Sequence, residues 1–165
     1  MKVYIGIDNG VSGSIAYIGR RTYFVPTPTR KEQSYTKAKA QITRIDWKEL
    51  EILFAKYSMQ SKGHDLRLFI ERPFTNPKGL KAMVSAMRAL ESTLIAVERY
   101  GLSYEYIDSR QWQKAMLPKG CKGAELKVAS MNIGIRLFPL YAETIKKHKD
   151  ADSLLIAEWA RREQL

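Results

Sequence analysis

Three short apolar runs in succession, then amphipathic helical stretches alternating with two further apolar runs, predict an α/β chain with a mixed five-stranded sheet and helices on both of its faces. Two of the apolar runs end in a carboxylate, Asp8 and Glu71, which is unusual for residues that close a buried strand unless they are paired or hold a cation. A formal net charge of +11 spread along 165 residues completes the pattern, because a folded domain this basic is expected to meet a polyanion, with nucleic acid first among them. The length suits one domain over residues 1–165.

The first strand is Val3 to Ile7, where Val3, Ile5 and Ile7 alternate with Tyr4 and Gly6, and Asp8 ends it. A glycine-punctuated turn at Asn9-Gly10 leads into a second strand, Ser14 to Ile18, and a third follows from Thr22 to Val25, stopped by Pro26. From Thr29 to Arg44 the chain is polar and basic, with Arg30, Lys31, Lys37, Lys39 and Arg44 against a lone Glu32, which reads as a surface loop or an arm over a phosphate backbone. Asp46 is placed to cap a helix that carries Leu50, Leu53, Phe54 and Tyr57 at helical spacing and ends near Gly63. Leu66 to Ile70 is the fourth strand, ended by Glu71, and Pro73 to Gly79 is a loop.

Leu80 to Tyr100 has the spacing of a long helix, stopped by Gly101, with an apolar stripe wide enough to serve a subunit interface as well as the core. Ser103 to Ile107 is the fifth strand, with Tyr104 and Tyr106 on one face, and Asp108-Ser109 cap a short helix around Trp112. A basic loop from Pro118 to Gly123 precedes a helix from Ala124 to Leu137, which Pro139 closes, and the last helix runs from about Asp150 to Arg162. The single Cys121 sits between lysines and glycines in that basic loop and reads as a thiol of a reducing compartment. No apolar run approaches the roughly 18 residues of a membrane span, and the opening strand replaces a signal peptide, so a cytoplasmic protein is expected.

In an open sheet with parallel neighbours, functional groups gather at the carboxyl ends of strands, where Asp8 and Glu71 fall. Asp150 and Asp152 reach the same place if the last helix packs over the sheet with its N-terminus toward those ends. Four oxygen donors without a cysteine or histidine cluster suit Mg²⁺ or Mn²⁺, two ions per site, and no small-molecule cofactor is called for. Residues two apart on a helix point about 200° apart, so Asp150 must sit at the cap, outside helical geometry, or His148 takes its place. The preference of a hard cation for oxygen favours Asp150.

Gly6-Ile-Asp8-Asn-Gly10, Ile70-Glu71-Arg-Pro73, Asp108-Ser-Arg-Gln-Trp112-Gln-Lys114, Glu125-Leu-Lys127-Val-Ala-Ser130 and Lys147-His-Lys-Asp150-Ala-Asp152-Ser-Leu-Leu-Ile-Ala157 resemble, in this order, the RuvC-type Holliday-junction resolvases, and most closely their phage-borne members. The resemblance implies a ribonuclease H-like fold with strand order 3-2-1-4-5. It also implies a metal-dependent endonuclease, usually a homodimer, that cuts opposed strands of a four-way DNA junction. Asp8 and Glu71 match the first two metal ligands and Asp152 the acid before the last helix, whereas the fourth position departs from the pattern, with Asp150 two residues ahead of Asp152. Lys127 stands in the position of a lysine that recurs in the phage-borne members, and it is expected to contact the scissile phosphate. Arg30, Lys31, Arg72, Lys78, Lys81, Lys114, Lys119 and Lys122 are the candidate DNA contacts. Another ribonuclease H-like nuclease activity, on RNA–DNA hybrids or strand ends, and a non-catalytic DNA-binding protein remain as alternatives, since the fold does not choose the substrate.

Overall fold

The computed structural model describes residues 1–34, 37, 39–73 and 79–165. Its main sheet is built from β1 (Lys2–Asp8), β2 (Ser14–Ile18), β3 (Thr22–Pro26), β6 (Asp65–Glu71) and β7 (Tyr104–Ile107), in the order β3-β2-β1-β6-β7. The meander β1-β2-β3 is antiparallel, and β6 and β7 continue it in parallel with β1. This is the anticipated order 3-2-1-4-5, renumbered because β4 (Thr29–Gln33) and β5 (Gln41–Ile45) form a separate two-stranded ribbon where a loop or arm is expected. The ribbon escapes an apolar pattern search because Thr29-Arg-Lys-Glu-Gln33 contains no apolar residue. Its Glu32 instead holds Arg30 at 3.3 Å and also binds Arg44, two arginines that face each other directly across the ribbon.

The helices are α1 (Trp47–Gln60), α2 (Leu80–Arg99), α3 (Ser109–Met116), α4 (Ala124–Leu137), α5 (Ala142–His148) and α6 (Asp152–Arg162), with a 3₁₀ turn at Pro139–Tyr141. Asp46 caps α1 by accepting from the Lys48 N–H at 3.2 Å, and Asp108 and Gln111 form a reciprocal capping box on α3. The seven-residue α5 is the one helix that the pattern does not announce, since Ile145 is its only buried side chain.

Alternation along the strands decides which helices meet which face. Val3, Ile5, Ile7, Leu68 and Ile70 pack with Leu50, Phe54 and Tyr57 of α1 and Ala89, Ala96 and Val97 of α2. Tyr4 and Phe69 face the other way, against Trp112 of α3, Ile145 of α5 and Leu154 to Ala157 of α6. Gly6, Asp8 and Glu71 continue that second set at intervals of two, so both strand-end carboxylates project toward α6. A side chain at Gly6 would not fit there, because its Cβ would lie 2.2 Å from the Ser153 carbonyl oxygen and 2.7 Å from the Ala157 nitrogen. The start of α6 therefore rests directly on the β1 backbone. It is fastened sideways by a hydrogen bond of 2.8 Å from the Ser14 hydroxyl to the Ser153 hydroxyl, both fully buried.

Candidate metal centre

The last hydrogen-bonded register pair of β1 and β6 is Ile7 with Ile70, so Asp8 and Glu71 leave adjacent parallel strands side by side. Asp150 and Asp152 arrive from the α5–α6 connection. The chain turns there through Lys149, whose φ of 78° is left-handed, and α6 begins only at Asp152. Asp150 thus lies outside helical geometry, the condition under which it and Asp152 can face one site. One carboxylate oxygen each from Asp8, Asp150 and Asp152 lie within 4.8 Å of one another. Glu71 stands beside this trio and feels the charge of Asp152 and Asp150.

His148 stands directly behind Asp150. Its Nε2 is 3.3 Å from Asp150 Oδ1, and its ring is packed edge-on against Phe24. From the other side α4 presents Lys127, Ser130 and Gly134, spaced three and four residues apart on one helical stripe. Lys127 Nζ is 3.4 Å from Asp150 Oδ2, although the side chain is 65% exposed, so the ammonium can meet the carboxylate and an incoming anion together. The Ser130 hydroxyl donates to Asp152 Oδ1 and accepts from the Ala151 N–H at 3.1 Å. Gly134 lets α4 approach so closely that a Cβ there would sit 2.2 Å from the Ala151 Cβ. Sequence reasoning singles out Lys127 but passes over Ser130; the available signal was its position three residues further along the same helix face.

The electrostatics are those of a site built for cations. Burial, followed by the charges of Asp152, Glu71 and Asp150, raises Asp8 well above the ordinary carboxylate range. Burial and Asp152 push Glu71 up to about 7, opposed by the fully buried Trp112, whose indole N–H faces it without good hydrogen-bond geometry. Asp152 is pushed up to about 6 by burial and Asp150, against the Ser130 hydrogen bond. Asp150 goes the other way: burial would raise it, but His148, Lys127 and the Asp152 N–H together hold it below the usual range. These oxygen donors fit a divalent cation of the Mg²⁺ or Mn²⁺ type, which would replace the missing counter-charge.

A stability prediction follows from the sign of these shifts. The folded state of the cation-free protein binds protons on Asp8, Glu71 and Asp152 more tightly than the unfolded chain, so their contribution to stability falls as pH rises from about 4 to about 7. In EDTA the melting temperature should drop across that window, and added Mg²⁺ should restore more at pH 7.5 than at pH 5. A thermal melt series over pH with and without Mg²⁺ checks both.

The candidate phosphate contacts are distributed over several surfaces. Lys31 is exposed on the ribbon, and Lys81 lies with Arg88 along a groove of about 780 Å³ between the ribbon and α2. Lys114 and Lys119 surround a concavity of about 380 Å³ with Arg110, and Lys122 is exposed beside it. Arg72 is bound to both carboxylate oxygens of Asp108 at 3.1 and 3.2 Å and set 5.9 Å from the Tyr106 ring. Arg30 is held by Glu32, and Lys78 lies outside the described residues. Among the described residues no helix is long and apolar enough to cross a membrane.

No family model matches the sequence, and no curated protein does. Among solved structures the chain is similar to Thermus thermophilus RuvC in complex with Holliday junction substrate, at 15% identity and a TM-score of 0.58, with 99% of this chain and 96% of that one covered. The fold is RuvC-like. A second Thermus thermophilus RuvC structure is similar at 16% identity, covering 98% and 96% of the two chains, with a TM-score of 0.49. The likeness is one of fold, a mixed sheet with helices on both faces, and the acidic site is formed by this chain's own Asp8, Asp150 and Asp152.

Proposed function

We propose that this chain is a metal-dependent, structure-selective DNA endonuclease of the phage RuvC type, a single nuclease domain that resolves four-way junctions by paired phosphodiester cleavage as a homodimer. The observation that carries the reading is the convergence of Asp8, Asp150 and Asp152 within 4.8 Å, next to Glu71, on a chain of net charge +11. The likeness to a RuvC determined with Holliday junction substrate supports the choice of branched DNA.

In this reading Asp8, Glu71, Asp150 and Asp152 hold Mg²⁺ or Mn²⁺, which supplies Lewis acidity and an activated water to phosphodiester hydrolysis. Lys127 binds a non-bridging oxygen of the scissile phosphate and offsets the charge that develops there. Ser130 and His148 fix the directions of Asp152 and Asp150. Asp150→Asn should therefore lower the cleavage rate roughly a thousandfold, while His148→Ala, which removes only a support, should cost about tenfold. Single-turnover cleavage of both variants checks the order, and a dead His148→Ala beside an active Asp150→Asn would reverse the assignment.

Paired cleavage needs two sites facing one junction, and α2 offers the surface. Its inner side supplies Ala89, Thr93, Ala96 and Val97 to the core, leaving Leu80, Val84, Met87 and Ile95 exposed along the outer side. A two-fold partner burying that stripe makes an isologous dimer. Met87→Glu should give a monomer in analytical ultracentrifugation, and a wild type already monomeric at micromolar concentration would contradict the interface. The function itself is tested by incubating the protein with labelled four-way junction, duplex, fork and RNA–DNA hybrid. Mg²⁺-dependent cleavage confined to the junction is expected, and preferential cutting of the hybrid would overturn it.

A further inference from the structure

The residue that follows Asp8 is tied to the helix on the other face of the sheet. Ile7 packs with α1 and α2, Asp8 turns toward α6, and Asn9 turns back to the α2 side, where its Nδ2 donates to the Ala86 carbonyl at 3.1 Å. A carbonyl only accepts, so the amide presents its nitrogen there, and Asn9 Oδ1 is left buried with no partner among the described residues. An unpaired buried amide oxygen is unfavourable, so what asparagine adds at this position is the donor to Ala86.

The loop after β1 has little slack to absorb movement at Asn9. The Gly13 N–H donates to the Gly10 carbonyl at 3.1 Å, the Thr27 N–H donates to the Gly13 carbonyl at 2.9 Å, and a Cβ at Gly13 would lie 2.0 Å from the Asp8 carbonyl oxygen. A shift of α2 at Ala86 therefore passes to the Asp8 carboxylate through one residue of backbone. The first part of α2 is the part least held by the core. The side chains the helix buries, Ala89, Thr93, Ala96 and Val97, all lie beyond Ala86, whereas Leu80, Val84 and Met87 are exposed before and beside it. Among the described residues, Asn9 is the one side chain that hydrogen-bonds this stretch to the end of β1.

We propose that Asn9 is a positioning residue that sets Asp8 according to where α2 stands, so that covering the exposed α2 stripe with a second copy of this chain tightens cation binding at the carboxylates. The inference rests on the reading of a metal-dependent, dimeric nuclease and adds a link between its interface and its site. A subunit without its partner then holds cations less tightly, which restrains cutting by an unpaired chain.

The test titrates Mn²⁺ calorimetrically into the full-length wild type, Asn9→Ala, Ile95→Glu and the double variant, with analytical ultracentrifugation and thermal melts on the same preparations. Ile95 is exposed on the same stripe, about two and a half turns beyond Ala86, so its replacement separates the subunits without touching the Asn9 contact. Asn9→Ala should remain dimeric, bind Mn²⁺ about tenfold more weakly and cut at about a tenth of the wild-type rate in limiting Mn²⁺, recovering in excess Mn²⁺, with junction affinity in EDTA unchanged. Ile95→Glu should be monomeric and lose a similar factor in Mn²⁺ affinity, and the double variant should be no weaker than either single one, because both changes cut one path. Additive losses, full Mn²⁺ affinity in Asn9→Ala, or undiminished affinity in a monomeric Ile95→Glu overturn the proposal, as does an Ile95→Glu protein that stays dimeric. A rate loss in Asn9→Ala that excess Mn²⁺ does not restore, with a lowered melting temperature, overturns it too and leaves Asn9 a structural residue. Should Asn9→Ala not fold, Asn9→Ser, one bond too short to reach Ala86, carries the same expectations. A wild type that binds no Mn²⁺ and cuts no junction overturns the nuclease reading, and this link with it.

Discussion

Asp8→Asn is expected to abolish junction cleavage, by roughly a thousandfold or more, while junction binding persists or tightens. Asparagine keeps the volume and one oxygen of the side chain but removes the charge, and Asp8 is the residue on which Asp152, Glu71 and Asp150 all press. Losing that charge weakens cation binding at its centre. No phosphate contact disappears, and one negative charge that repels the backbone does. The same substitution should raise the melting temperature in EDTA at pH 7.5, because the repulsion it relieves is present only when nothing neutralises it. Single-turnover cleavage, a gel-shift titration and a melt on one preparation read all three effects. Wild-type cleavage rates would remove Asp8 from the site.

Gly6→Ala is expected to damage the protein through a single methyl group. Its Cβ would meet backbone atoms of α6, the Ser153 oxygen at 2.2 Å and the Ala157 nitrogen at 2.7 Å, and backbone cannot swing aside as a side chain can. The helix has to lift from β1 by about 1 Å, at a cost of roughly 1–3 kcal/mol. Asp152 opens that helix, and displacing it relative to Asp8 by that distance should slow cleavage by about a hundredfold. A melting temperature lowered by several degrees together with this loss of rate is the expected outcome. Normal melting and normal cleavage would mean that α6 does not sit on β1 in the manner described.

The parts of the fold that the sequence discloses are those where burial imposes a period. Val3, Ile5 and Ile7, then Leu68 and Ile70, recur at every second position because alternate side chains face α1 and α2 while Tyr4 and Phe69 turn to α6, and a carboxylate that ends such a run stands out against its neighbours. The position of Asp150 is also legible, since two helical residues cannot point the same way at a spacing of two and the structure resolves the conflict by starting α6 at Asp152. The ribbon β4–β5 is illegible because its strands are held by Arg30, Glu32 and Arg44 instead of apolar alternation. The ion pair of Arg72 with Asp108 is illegible for a different reason: the pairing of β6 and β7 brings them together, a relation between residues 36 apart that no local pattern encodes. Ser130 is hidden for the opposite reason: a serine inside a helix is ordinary, and only the approach of Asp152 turns its hydroxyl into a support.

The most direct test of the account uses a supercoiled plasmid that extrudes a cruciform, where one dimer acting on both opposed strands yields linear DNA and unpaired cutting yields nicked circles. With Mg²⁺ the wild-type protein should convert the plasmid to the linear form with breaks at the cruciform base, and with EDTA it should leave it supercoiled. Nicked circles alone, cleavage of a plasmid lacking the inverted repeat, or cleavage undiminished by EDTA would contradict the paired, metal-dependent resolution of junctions proposed for this chain.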